Sequence, residues 1–256
     1  MLVVFLDQQN YMTHKTKGIV LRTTKYGETS LVVTILTELF GVQTYMINGV
    51  RSAKKSSSKA NYFQPAAILD LIVYRNDQKS LQRIKEFSWN YLYTDVLSDV
   101  IKNSIALYIV ELIQKCLKQP EENNALFYFC EDVLIKLDAA TKSISANLAL
   151  YFSLQLTQFL GFKMNDNYSA QKNTLDLEEG EFVEEEPLHA NFLEGEYALW
   201  TSQLLKVMQP EELAPFQMHH NVRRKLLLYY QDYYALHIAG FGQMKTLAVL
   251  HEVLST

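Results

Sequence analysis

The chain has 256 residues, is 48% hydrophobic, and carries 24 Lys or Arg against 28 Asp or Glu for a net charge of -4. This is too apolar for a disordered chain and long enough for one large or two small domains. Its two cysteines, Cys116 and Cys130, can form neither a disulfide framework nor a four-ligand zinc site, and no apolar run reaches the 18 residues of a membrane span.

The net charge hides an asymmetry. Residues 1–88 hold 12 basic and 6 acidic side chains, a balance of +6, whereas residues 89–256 hold 12 and 22, a balance of -10. Opposite charge on the two parts suggests two different tasks. The start, Leu2-Val-Val-Phe-Leu6, is too short for a signal peptide and lacks its basic flank and cleavage pattern, so a cytoplasmic protein is expected. Residues 1–16 read as an N-terminal extension or an edge strand.

From Lys17 onward the pattern is of short β-rich runs: Gly18–Thr24, Thr29–Thr37, Val42–Asn48, Ala66–Tyr74 and Ser80–Phe87. Gly27, Gly41, Gly49 and Asn76-Asp77 supply the turns. Five strands in some seventy residues, with no long helix among them, predict a small closed barrel of the OB type over residues 17–88. Between the third and fourth strands lies Arg51-Ser-Ala-Lys-Lys-Ser-Ser-Ser-Lys59, a flexible loop with four cations, followed by Tyr62, Phe63 and Pro65.

After Trp89 the period changes. Val96, Val100, Ile101, Ile105, Leu107, Tyr108, Leu112 and Ile113 recur at helical spacing through Leu117, and Gln119-Pro120 ends the helix. Leu126–Leu137, Leu148–Leu160 and Val222–Ile238 repeat the pattern, with Gly161 and Gly240 as expected C-terminal caps. The fold class is therefore α+β, a five-stranded OB barrel followed by an all-α bundle over residues 89–256. Residues 165–197 interrupt that bundle with ten acidic side chains against Lys172 alone. An acidic lid or a metal cluster would account for them, but a solvated, loop-rich excursion with a short hairpin around Gly180 accounts for them more simply.

Catalytic constellations are missing. Lys54-Lys-Ser-Ser lacks the Gly-x-x-x-x-Gly-Lys frame whose amides wrap phosphates, and there is no Gly-x-Ser-x-Gly, His-Glu-x-x-His or dinucleotide fingerprint. His219 and His220 are adjacent and would point about 100° apart on a helix, so they cannot share a metal. No enzyme, cofactor or metal is expected.

Binding chemistry is better represented. Arg22, Lys25, Arg51, Lys54, Lys55, Lys59, Arg75, Lys79, Arg83 and Lys85 all fall on the predicted barrel, interleaved with aromatics. Cations beside aromatic platforms are how OB folds hold single strands. The DNA-binding set read from the sequence is Arg22, Lys25, Tyr26, Arg51, Lys54, Lys55, Lys59 and Lys85. Tyr26, in a turn between Lys25 and Gly27, is the aromatic expected to be exposed.

The run Gly18-Ile-Val-Leu-Arg-Thr-Thr-Lys-Tyr-Gly-Glu-Thr-Ser-Leu-Val-Val-Thr-Ile-Leu-Thr-Glu-Leu-Phe-Gly41, then Asn48-Gly-Val-Arg-Ser-Ala-Lys-Lys55, resembles the RecO family of bacterial recombination mediators. It is similar to that family's Glu-x-Ser-Leu-Val, strand-turn glycine and Gly-Ala-Arg-Arg-type basic loop. Arg223-Arg-Lys-Leu-Leu-Leu-Tyr-Tyr and the segment Leu236 to Leu254 are similar to its closing helices. The resemblance implies binding of single- and double-stranded DNA, strand annealing, and help in loading RecA onto DNA coated by single-strand-binding protein. RecR and the coating protein's C-terminal tail are the implied partners. It also implies a tail pocket on the helical domain, for which Lys115, Lys118, Lys136 and Lys163 are the candidate cations. Many family members carry a four-cysteine zinc site after the Gly-Phe that is here Gly161-Phe162. This chain has the acidic segment there and no cysteine, so zinc is not expected. An adaptor whose barrel no longer binds DNA is the alternative reading.

Overall fold

A computed structural model describes residues 12–50 and 57–254. They form two compact units: residues up to Leu92 together with Gln119–Asn123, and Tyr93–Lys118 together with Asn124 onward.

The first unit is a closed five-stranded barrel of strands β1 (Met12–Tyr26), β2 (Ser30–Thr37), β3 (Gly41–Ile47), β4 (Ile68–Arg75) and β5 (Leu81–Tyr91) in the order β1-β2-β3-β5-β4. Closure depends on the length of β1. Its first half pairs with β4 and its second half with β2, so Gly18 and Ile19 are bonded on both sides. Gly18 sits where the barrel wall is tightest: a Cβ there would meet Ile35 Cγ2 at 2.6 Å and Leu71 Cδ1 at 2.7 Å. A three-residue parallel contact, Thr44–Met46 with Leu81–Arg83, completes the ring and removes the exposed edges. Alternation then sorts the side chains. Val20, Leu31, Val33, Ile35, Tyr45, Ile47, Leu69, Leu71 and Val73 fill the interior, each such burial contributing about 1.5–3 kcal/mol. Helix α1 (Ser57–Ala60) and the 3-10 turn Asn61–Phe63 lie between β3 and β4. Phe63 joins this core, with Tyr62 stacked on Trp89 at 4.7 Å.

The strands start and stop within a few residues of the sequence expectation except at β1, which begins at Met12. The pairing that extends it is with β4, from Met12 with Arg75 to Lys17 with Asp70, and local alternation carries no sign of it.

The second unit comprises helices α2 (Val100–Cys116), α3 (Asn124–Ala139), α4 (Lys142–Leu160), α5 (Gly195–Leu205), α6 (His220–His237) and α7 (Thr246–Val253). Helix α4 is the axis, packed against α2, α3, α5 and α6. It is buried on nearly every side from Asn147 to Leu154, so its polar side chains must find partners inside. Ser153 Oγ bonds Tyr108 Oη at 2.8 Å, and Tyr234 Oη donates to Ser153 O at 2.7 Å. Gly161, at φ 85°, ends α4 in the left-handed conformation that suits glycine. Helix α2 starts at Val100, four residues later than the apolar spacing indicates, because Asp99 caps it by accepting from Lys102 N at 2.9 Å.

The acidic segment is more ordered than a solvated excursion. It holds a three-stranded sheet of β6 (Thr174–Asp176), β7 (Glu181–Val183) and β8 (Phe192–Leu193) in the order β7-β6-β8, with the expected hairpin around Gly180. Leu175, Leu177, Phe182 and Leu193 are buried. The density of carboxylates masked this apolar alternation, since most of the acidic side chains face out while the hydrophobic ones face in. Asn167 mimics a neighbouring strand, accepting from Phe182 N and donating to Phe182 O. His189 bridges Asp176 at 3.3 Å and Glu178 at 3.6 Å. No group of three His, Cys, Asp or Glu among the described residues is arranged to hold a metal ion, and none of the described helices is long and apolar enough to cross a membrane.

Candidate nucleic-acid interface

The register of the barrel determines which cations share a face. Reading partners across the strands gives one row Thr24–Val32–Met46–Arg83–Tyr74 and a second row Arg22–Thr34–Thr44–Leu81. Because Val33, Tyr45 and Val73 point inward, both rows point outward. The outer face of β1, β2, β3 and β5 is therefore uncharged along the middle, at Val32, Thr34, Thr44 and Met46. Arg22 lies on one flank and Arg83 on the other.

Two bulges set this arrangement. In β1, Val20 pairs with Ile35 and Arg22 with Thr34, so Leu21 is the extra residue. It stays buried, and the shift brings Arg22, Thr24 and Tyr26 outward together. In β5, Val73 pairs with Ile84 and Ile72 with Glu86, which leaves Lys85 as the extra residue. Lys85 thereby reaches the same flank as Arg83.

Two adjoining hollows lie on that flank and share Met46 and Arg83. The first, about 480 Å³, is lined by Met46, Tyr74, Asn76, Lys79, Leu81, Gln82 and Arg83. The second, about 240 Å³, runs from Met46 and Asn48 past Lys59 to Arg83, Lys85 and Phe87. Gln82 braces the β4–β5 loop that carries Lys79. Its Oε1 accepts from Asn76 N at 3.0 Å, and its Nε2 donates to Asn76 O at 2.8 Å and to Lys79 O. The barrel surface across β1, β4 and β5 differs in sign, with a hollow lined by Lys15 but also by Asp70 and Glu86. Carboxylates there would repel phosphates.

Of the residues singled out in the sequence, Arg22 and Tyr26 share the β1 flank, and Tyr26 is 59% exposed. Lys25 pairs with the inward-facing Leu31 and so emerges on the opposite pleat from Arg22. Lys59 and Lys85 line the second hollow. Arg51, Lys54 and Lys55 lie outside the described residues. Lys79 and Arg83 are barrel cations outside the DNA-binding set expected from the sequence. Their position depends on the parallel β3–β5 contact, which leaves no local pattern in the chain.

The helical-unit lysines have other surroundings. Lys115 Nζ donates to Phe241 O at 2.9 Å and Lys118 Nζ donates to Ala239 O, so both fasten the segment after α6 onto α2. Lys136 bonds Gln209 Oε1 and pairs with Asp132 at 3.0 Å. Lys163 is exposed.

A protein-family model described as recombination protein O, N terminal, matches residues 12–93, the barrel and its interface. A second, recombination protein O, C terminal, matches residues 97–247. The chain belongs to the RecO family. It is 32% identical over 242 residues to the DNA repair protein RecO of Azobacteroides pseudotrichonymphae, covering 94% of this chain and 99% of that one. To the protein of that name from Phocaeicola vulgatus it is 33% identical over 244 residues, covering 95% and 100%. The Flavobacterium psychrophilum protein gives 32% over 244 residues, with the same coverage. The cationic flank described above thus lies on the N-terminal barrel of a RecO-family DNA repair protein, and the small sheet of β6, β7 and β8 belongs to its C-terminal part.

Proposed function

We propose that this RecO-family protein is a recombination mediator of the bacterial cytoplasm and nucleoid. It binds single- and double-stranded DNA, anneals complementary strands, and helps load RecA onto DNA coated by single-strand-binding protein, with RecR as a further partner. The observation that carries this reading is the register that sets Arg83 and Lys85, with Lys59 of α1 beside them, on one side of an uncharged outer barrel face and Arg22 with Tyr26 on the other. Cations on such flanks neutralise phosphates and release their counterions to solvent, without sequence preference. Neutralising two strands at once on one protein lowers their mutual repulsion, which is what annealing requires. The reading assigns no catalytic step and no cofactor. Burial pushes both cysteine thiols up, so neither is an activated nucleophile.

For the coating protein's acidic, apolar tail we propose a hollow of about 400 Å³ in the helical unit, between Ile101, Ala140, Ala146, Val253 and Leu254, where Lys102 is paired with Asp95 and Asp99 caps α2, which leaves Lys142 and Arg223 as the cations for the ligand. Arg223 Nε is buried without a hydrogen-bond partner among the described residues, and burial lowers the side chain's pKa. A carboxylate would supply the missing acceptor.

The test is annealing of dye-labelled complementary strands, with and without the coating protein, read as the second-order rate. Acceleration that is lost in Arg83→Glu with Lys85→Glu supports the reading. No acceleration and no retention of either strand by the full chain would remove it and favour the adaptor.

A further inference from the structure

The first hollow does not resemble a bare phosphate site. Its apolar lining is Met46, Tyr74 and Leu81, the last of these 39% exposed. Its cations are Lys79 and Arg83. We propose that this hollow holds one unstacked nucleotide of a single strand. The base lies on Met46, Leu81 and Tyr74, and its phosphate lies against Arg83 and Lys79. The inference rests on the DNA-binding reading above and adds a substrate distinction to it.

Three observations point to a base as the occupant. The volume, about 480 Å³, falls within the roughly 300–1,000 Å³ range of small-molecule pockets and has their pattern of apolar walls with a few polar groups. The row Met46–Arg83–Tyr74 puts the cation between an aromatic ring and a flexible thioether. An anionic phosphate and an attached planar ring are therefore met at adjacent positions on three neighbouring strands. Finally, the Gln82 amide is committed on both atoms to the β4–β5 loop and Asn76 Oδ1 accepts from Gln78 N, so neither side chain offers a donor–acceptor pair to a base edge. A Met lining accommodates purines and pyrimidines alike, in keeping with a protein that must accept any sequence.

A paired base is stacked and cannot enter the hollow without leaving the helix, an unstacking that an already single strand does not have to undergo. The hollow consequently favours single strands, while Arg22, Lys59 and Lys85 contact phosphates of duplex and single strand alike. During annealing, a base would leave this hollow as it pairs, which releases the product.

The experiment compares binding of the full chain to oligothymidylate and to an abasic chain of equal length, which presents the same phosphates without bases. A stacked base is worth roughly 1–3 kcal/mol. Oligothymidylate should therefore bind about tenfold more tightly than the abasic chain. Leu81→Ala, at an exposed position that folding tolerates, and Met46→Ala should each reduce that preference to about threefold or less, leaving the salt dependence unchanged. Equal binding of the two ligands by the unaltered protein, or a preference that survives both substitutions, overturns the nucleotide pocket and leaves the phosphate reading standing. Displacement of oligothymidylate by an acidic peptide with no base preference also overturns it, in favour of a protein ligand. Failure to bind either chain at low salt would refute DNA binding, and the pocket with it.

Discussion

Removal of the Asp138 carboxylate should destabilise the helical unit more than almost any other single polar change. Asp138 is 2% exposed, at the end of α3. Its Oδ1 accepts from Asp95 N and Val96 N, and its Oδ2 from Thr94 N and Thr94 Oγ1, all four at 2.9 Å. The first residues of the unit are thus tied to α3 by one anion. A bond to a charged acceptor contributes about 1.5–3 kcal/mol, but four bonds to one group do not add. In Asp138→Ala the hydroxyl can turn to another partner while three backbone N–H groups lose theirs, which gives a cost of about 4 kcal/mol. Asp138→Asn keeps one oxygen and its two bonds, the Thr94 hydroxyl can reverse, and a single N–H is left opposite an amide, for about 2 kcal/mol. With a urea dependence near 2 kcal/mol per molar, the midpoint of the helical transition should fall by roughly 2 M and 1 M respectively. Far-UV circular dichroism reads both. The carboxyl titrates below its ordinary range because, although burial opposes its charge, the N–H groups of Thr94, Val96 and Asp95 outweigh that effect. A depressed folded pKa means stability present above pH 4 and lost as the pH falls through the folded value. The Ala and wild-type midpoints should therefore converge in acid. A midpoint for Asp138→Ala within about 0.3 M of wild type at pH 7 would refute the reasoning.

Other perturbations follow the same logic. Gly41 has φ 61°, and a Cβ there would lie 2.1 Å from Glu121 O, whereas Gly27 has φ 57° and open space around it. Gly41→Ala should therefore unfold the barrel several degrees lower in a thermal melt, and Gly27→Ala should cost only the roughly 1 kcal/mol of backbone strain. Glu111 holds the start of α7 by accepting from Lys245 N, Thr246 N and Thr246 Oγ1. Burial opposes its charge, but these bonds and Lys115 leave its pKa lowered. Its contribution is present above about pH 4.5 and lost below the folded value, so amides 246–253 should exchange faster at pH 3.5 than at neutral pH after correction for intrinsic rates. Glu111→Gln should abolish that difference. Lys118→Ala with Lys115→Ala should loosen the segment after α6 and lower the melting temperature without changing affinity for the tail peptide, which Arg223→Ala should weaken.

The strands, their glycine turns and the helices were readable because each leaves a local mark: alternation at Ile19 to Thr24, three-and-four spacing at Ile105 to Ile113, a left-handed glycine at 161. What could not be read depends on pairing between distant residues. Arg83 and Lys79 become neighbours of Met46 only through the parallel β3–β5 contact, and Lys85 joins them only through a bulge whose partner lies on β4. Charge counting had a different failure. It marked residues 165–197 as solvated, although Leu175 and Phe182 alternate with the carboxylates and are fully buried. The candidate cations Lys115, Lys118 and Lys136 each have an acceptor within their own unit, and those long-range partners also leave no local mark.

The claim that the β1-β2-β3-β5 face carries DNA is tested most directly by the salt dependence of single-strand binding. Each phosphate contact contributes about -0.7 to the log-log slope, so Arg83→Gln with Lys85→Gln should make it shallower by roughly 1.4. Lys15→Gln, beside Asp70 and Glu86 on the other surface, should leave it unchanged. An unaltered slope in the double variant, or an equal loss from Lys15→Gln, would contradict the assignment of the face.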